Sequence, residues 1–148
     1  MDVLVTVGTY QFDTLIKAVD EISSKFPDMK FTLQTGNGAY LPKHCQHFSF
    51  KPELDFNQFD LIITHAGAGN IYRLLEISKK IIVVPNLLRV DDHQKEIATF
   101  VQSNNLALAC NDLTNLESVI RKVQSFQPRP YKKVSFFKST EIEEYLQL

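Results

Sequence analysis

The stretch His65-Ala66-Gly67-Ala68-Gly69-Asn70 joins an apolar run, Leu61-Ile62-Ile63-Thr64, to residues at helical spacing, Ile71, Leu74, Leu75 and Ile77. Glycines in such a turn let a ligand come close to the main chain. The helix behind them, with Asn70 near its N-cap, directs free N–H groups and a positive dipole end at the same spot. That is an anion site suited to phosphate. A plain glycine-rich strand-to-helix turn has the same pattern, and residues 65–70 alone do not separate the two. Two phosphate motifs are excluded. No Lys-Ser/Thr follows the glycines as in a P-loop, and Tyr72 occupies the third glycine position of G-x-G-x-x-G.

Two further clusters carry hydrogen-bonding groups. Asp91-Asp92-His93-Gln94 follows Pro85-Asn86 and falls near the start of another helical pattern, where four polar side chains can read sugar hydroxyls. Taken alone, helix capping by Asp91 or Asp92 is the better account of them. Gly8-Thr9 closes the first apolar run, as a ligand-lining loop or simply as a turn. Asp55 and Asp60 lack an evident partner, and His44 and His47 flank Cys45 without the second pair that a zinc site needs. No G-x-S-x-G elbow is present.

Alternating strands and helices must position these loops. Short β-branched or apolar runs predict strands at Val3–Val7, Lys30–Gln34, His47–Phe50, Leu61–Thr64, Ile81–Val84 and Leu106–Cys110. Between them, helical spacing appears in Leu15, Ile16, Val19, Ile22 and Phe26, in the Ile71–Ile77 set, and in Ile97, Phe100 and Val101. Leu113, Leu116, Val119, Ile120 and Val123 give a last helix. The order predicts an α/β fold, a Rossmann-like parallel sheet with helices on both faces. Such sheets bind ligands beyond the carboxyl ends of their strands, at a switch in strand order. The loops after Val7, Thr64 and Val84 are therefore the ones to watch.

The chain has 148 residues, 44% hydrophobic and 22% charged, enough for one domain with its own core. We expect that domain over residues 1–126. A basic linker, Gln127-Pro128-Arg129-Pro130-Tyr131-Lys132-Lys133, and an amphipathic helix with Ile142, Tyr145 and Leu146 on one face follow over 127–148, to pack on the domain or on a partner. The net charge of −1 provides no field to recruit nucleic acid. Two distant cysteines argue against a disulfide scaffold and suit a reducing cytoplasm. No signal peptide is expected at the amino terminus, and no apolar stretch reaches the roughly 20 residues needed to span a bilayer.

Several ordered motifs together resemble a known family. They are Val5-Thr6-Val7-Gly8-Thr9 with Phe12-Asp13 and Leu15-Ile16 behind it, the His-Ala-Gly-Ala-Gly loop at 65–69, Ile82-Val83-Val84-Pro85-Asn86, and Asp92-His93-Gln94. Over roughly residues 3–110 the chain resembles the glycosyltransferase family 28 C-terminal domain. Within that family it looks most like small stand-alone subunits, those of the dolichol-linked UDP-N-acetylglucosamine transferase and of bacterial exopolysaccharide and capsule synthesis.

The resemblance implies a metal-independent GT-B enzyme split into two chains, needing no cofactor. This chain would be the donor-binding half, and a membrane-anchored chain would hold a lipid-linked saccharide acceptor. It would lie in the cytoplasm, peripheral to a membrane through that partner. Carried over, Gly67, Ala68, Gly69 and Asn70 would meet the diphosphate of a UDP-sugar, with His65 and Ala66 in the same loop. Gly8 and Thr9 would line the cleft, and Asp92, His93 and Gln94 would face the sugar or its phosphate. His65 is the weak candidate for a catalytic base, or else it orients the loop. Gly67→Val or Gly69→Val is expected to abolish donor binding in a folded domain. Two positions depart from the family: Arg73 stands where an acid often holds the ribose, leaving Glu76 as the nearest acid, and Lys80 replaces a proline. A non-catalytic UDP-sugar-binding enhancer of a partner transferase is the alternative. An NAD-binding Rossmann protein is disfavoured, because Gln34-Thr35-Gly36 ends the second strand without a ribose-binding acid.

Overall fold

The apolar runs form a six-stranded sheet in which every neighbouring pair is parallel. The computed structural model describes residues 1–86 and 93–131. Asp91 and Asp92, Lys132 and Lys133, and the expected terminal helix lie outside the described residues. The strands are β1 (Asp2–Thr6), β2 (Lys30–Gln34), β3 (Gln46–Phe48), β4 (Leu61–His65), β5 (Lys80–Val84) and β6 (Leu108–Ala109). The helices are α1 (Asp13–Ile22), α2 (Ala68–Glu76), α3 (His93–Ser103) and α4 (Leu116–Val123). The expected class and element order hold. The strand at Leu106–Cys110 shortens to two residues, because Leu106 and Ala107 instead close the turn after α3 by bonding to the Val101 carbonyl. Leu113 belongs to a separate 3-10 turn ahead of α4. Among the described residues no helix is long and apolar enough to cross a membrane.

Strand alternation explains why the sheet is covered on both faces. Val3, Val5, Leu61, Ile63 and Ile82 point to one face, where α1 and α4 supply Leu15, Ile16, Val19, Leu116 and Ile120. Leu4, Ile62, Ile81 and Val83 point to the other, where α2 and α3 supply Ile71, Leu74, Ile97 and Val101. Residues 127–131 return to this second face: the Arg129 N–H donates to the Asn105 carbonyl at 2.7 Å, and the Tyr131 ring meets Tyr72 edge-on at 5.9 Å. The strand order is β3-β2-β1-β4-β5-β6. Order reverses between β1 and β4, so the loops after Thr6 and His65 diverge there and leave a crevice.

Asp20 pins the segment that leads into β3. It is fully buried on α1 and accepts from the Tyr40 hydroxyl and from the N–H groups of Lys43, His44 and Cys45, at 2.8–3.1 Å. Asp13, about two helical turns earlier, accepts from the N–H of Ala39 and Tyr40. Two carboxylates on one helix thus fold the segment between β2 and β3. Burial opposes the Asp20 charge, but the four donors outweigh it and lower its pKa below the ordinary 3.8. The same bond pushes Tyr40 up to about 12. A depressed carboxylate stabilises the fold fully above its ordinary range, and that contribution disappears as pH falls through the lowered value. Asp20→Ala should cost about 3 kcal/mol at pH 7 through stranded donors. Urea unfolding at pH 7 and at pH 3 checks both statements: the wild-type advantage must shrink in acid, and an equal advantage at both values refutes the linkage.

Candidate functional site

The crevice at the switch point is a cleft of about 520 Å³. Its floor is Thr6, Gly8 and Gln34, one wall is the segment from Phe50 to Phe56, and the other is the first turns of α2 through Asn70 and Arg73. Its size suits a nucleotide or similar small molecule.

The α2 wall begins at the glycine loop. Gly67 is the N-cap, in an extended conformation, and its carbonyl accepts the first helical bond, from the Ile71 N–H at 3.1 Å. Asn70, expected near the N-cap, is the third residue of the helix, and Gly67 is the cap. The N–H groups of this first turn have no preceding helical carbonyl and aim out of the helix end. A Cβ built on Gly69 meets nothing within 4 Å, whereas one on Gly67 would lie 2.6 Å from His65 Nε2. Gly67 is thus required for packing, and Gly69 borders open space.

His65 is the packing partner. It is 4% exposed, its ring stands 5.3 Å from that of Tyr10, and its Cε1 lies 3.8 Å from where a Gly8 Cβ would be. The ring wedges between the β1 loop and the glycine loop, which fits the orienting role of the two considered for it. Ala66 is buried behind it. Gly8 turns with φ +62°, and its N–H donates to Thr6 Oγ1 at 3.1 Å. Thr9 is exposed and serves the loop through its carbonyl, which accepts from Asn37 Nδ2 at 2.8 Å.

The other expected site residues are more scattered. Gln94 is buried, and its Oε1 accepts from the Asn86 N–H at 2.8 Å. That bond ties the segment after β5 to α3, so half of the Gln94 amide is committed to the scaffold. His93 is exposed at the start of α3. Glu76 is the last residue of α2, exposed, and is not among the residues that line the cleft; Arg73 is, with its guanidinium carbon 5.6 Å from the centre of the Phe56 ring. Of the expected site residues, Gly8 and Asn70 line this cleft, whereas Thr9, His65, Ala66, Gly67, Gly69, Glu76, His93 and Gln94 are not among its lining residues. Among the described residues no three His, Cys, Asp or Glu side chains gather as metal ligands.

Sequence reasoning missed Thr6, Gln34 and the Phe50–Phe56 wall. The wall has no periodicity to read. Gln34 did carry a signal, a polar residue ending a strand buried on both faces.

Comparison with known proteins agrees with this fold. The model of the glycosyltransferase family 28 C-terminal domain matches residues 2–147. The human UDP-N-acetylglucosamine transferase subunit ALG13 is 36% identical over 110 residues, 65% of this chain and 10% of that protein. The UDP-N-acetylglucosamine--N-acetylmuramyl-(pentapeptide) pyrophosphoryl-undecaprenol N-acetylglucosamine transferase of Phocaeicola vulgatus is 33% identical over 94 residues, 62% of this chain and 25% of that protein. The chain spans about a tenth of the length of the mouse and human relatives. Among solved structures, the solution structure of ALG13 superposes with a TM-score of 0.60 at 21% identity, covering 95% of this chain and 92% of that one. The crystal structure of Acinetobacter baumannii MurG superposes with a TM-score of 0.57 at 20% identity, covering 99% of this chain and 44% of that one. At these identities the structural likeness establishes the fold.

Proposed function

The chain belongs to the glycosyltransferase family 28 C-terminal domain family, and from that premise we propose that it is the donor-binding subunit of a two-chain inverting glycosyltransferase. The pair moves a sugar from a UDP-sugar to a lipid-linked saccharide. The observation that carries this reading is the first turn of α2, which starts at the glycine loop, leaves open space at Gly69 and brings Asn70 to the switch-point cleft.

In the proposed reaction the acceptor hydroxyl attacks the anomeric carbon as the bond to the UDP oxygen breaks. The sugar becomes oxocarbenium-like, and the leaving diphosphate gains negative charge. Fixed N–H groups and the positive end of α2 meet that charge without reorganising, and removal of such a donor typically raises a barrier by about 3 to 4 kcal/mol. Because the helix end supplies this stabilisation, donor binding is expected without magnesium. His65 orients the loop, and the general base that takes the acceptor proton comes from the partner chain. One domain provides one wall around the reacting sugar, and a membrane-anchored second subunit supplies the other and excludes water. The chain acts in the cytoplasm and reaches the membrane through that partner.

A second reading has a specific observation in its favour. Arg73 lines the cleft at the position where the resemblance implies a ribose-holding acid. A UDP-sugar-binding enhancer of a partner transferase accommodates that change. Calorimetric titration with UDP and a panel of UDP-sugars, with and without magnesium, tests the donor site. Metal-independent binding with one preferred sugar is expected, and binding of NAD instead overturns the assignment. Loss of turnover in a reconstituted pair when the donor loop is mutated separates catalyst from enhancer.

A further inference from the structure

Thr6 and Gln34 face each other across β1 and β2, directly in register, and both are nearly inaccessible, at 2% and 3% exposure. Both are polar side chains buried at the ends of their strands, so each polar group needs a partner. Thr6 Oγ1 accepts the Gly8 N–H at 3.1 Å and has one proton to give, which it donates to Gln34 Oε1. That bond fixes the amide. With the oxygen turned to Thr6, the Nε2 group is the end presented to the cleft that Gln34 lines. It has no hydrogen-bond partner among the described residues.

We infer that Gln34, held by Thr6, is a specificity-determining donor that reads an acceptor oxygen on the nucleoside half of the donor substrate. The inference rests on the UDP-sugar reading and deepens it. An –NH₂ group open to the cleft, with the oxygen of the same amide already engaged, offers donors and no acceptor, so it favours a ligand oxygen over a ligand N–H. Its place agrees with a nucleoside. Gln34 ends β2, and β2 is separated from β4, which feeds α2, by β1 alone. Two strand spacings put it roughly 10 Å from the first turn of α2, about the reach from a diphosphate held there to the far side of its nucleoside. Ribose hydroxyls and pyrimidine carbonyls both supply such an oxygen. Glu76 lies outside the cleft, so this contact also answers how a nucleoside is held without the acid that the resemblance implies.

The test titrates the full chain and the variants Gln34→Glu, Gln34→Met and Thr6→Val with UDP, 2′-deoxy-UDP and inorganic pyrophosphate. Thermal melting confirms which variants are folded. Gln34→Met removes the donor without introducing a charge, so the test stands if Gln34→Glu fails to fold. The expected result is a loss of UDP affinity of about 30-fold for Gln34→Met and about 5-fold for Thr6→Val, which frees the amide to turn. Pyrophosphate affinity should stay within about twofold, which a general structural defect does not allow. If 2′-deoxy-UDP binds the wild type and Gln34→Met equally, the oxygen is the ribose 2′-hydroxyl. If it loses as much as UDP on substitution, the oxygen lies elsewhere on the nucleoside. Folded Gln34 variants that bind UDP like the wild type overturn the inference and leave the donor site standing, as does an equal loss of pyrophosphate. A wild type that binds no UDP overturns both.

Discussion

Gly36→Ala is expected to destabilise the domain by on the order of 4 kcal/mol, a loss that few single substitutions reach. Gly36 follows β2 with φ +63°, where any side chain is strained. Steric overlap costs more than that strain. A Cβ there would sit 2.2 Å from the Tyr10 carbonyl oxygen and 2.9 Å from that of Gly8. Both obstacles are main chain, so no rotamer change relieves them. Gly36 is also fastened in place, since its N–H donates to the Ser49 carbonyl at 2.8 Å and the next N–H, of Asn37, donates to Tyr10. The loops after β1, β2 and β3 therefore meet at this residue. Gly8→Ala is the matched control. It has nearly the same φ, +62°, but its Cβ would meet only His65 Cε1 at 3.8 Å. It should lose about 1 kcal/mol, the conformational part alone. Urea unfolding of the two variants measures the difference. If Gly36→Ala costs no more than Gly8→Ala, the close approach of the two loops is not what holds the edge.

That contrast shows what was legible in the residues themselves. The parallel order could be read because β1, β4 and β5 are short apolar runs buried on both faces, a pattern that few other elements produce. The strand-to-helix turn at 65–69 could be read because glycine and alanine cluster where a strand gives way to a helix. The floor and far wall of the cleft could not. Thr6 and Gln34 lie 28 positions apart and meet through strand register, which no local pattern encodes. Asp20 looked like any polar residue on a helix, since its four donors lie between 20 and 25 positions away, in a segment with no periodicity. Asn70 reads from its type as lying near the N-cap, and the main-chain bond from Ile71 to Gly67 sets the cap itself three residues earlier. The resemblance brings Glu76 forward as a substitute acid; it ends α2, and of that helix the residues lining the cleft are Asn70 and Arg73.

Gly69→Ala should move stability and binding in opposite directions, which makes it the sharpest test of the donor site. Either glycine of the loop was expected to accept valine in a folded domain without donor binding. The structure separates them. At Gly67 even a methyl group strikes the His65 ring at 2.6 Å, so a substitution there disturbs packing and ligand together. At Gly69 the new methyl meets no protein atom, and the residue is the second of α2. Alanine forms helix better than glycine by about 0.5–1 kcal/mol, so the variant should unfold at equal or higher urea concentration. A diphosphate resting on the first-turn N–H groups must approach within hydrogen-bond distance, and a methyl group in that space holds it off. UDP affinity should fall by roughly 100-fold, about 2.7 kcal/mol, and turnover in a reconstituted pair should fall with it. Calorimetry and urea unfolding on one preparation supply both numbers. Unchanged UDP affinity in a stable variant would remove the first turn of α2 from the donor site, and with it the observation on which the proposed function stands. A stable variant that has lost UDP would locate the diphosphate beside Gly69, where a new methyl group meets no protein atom.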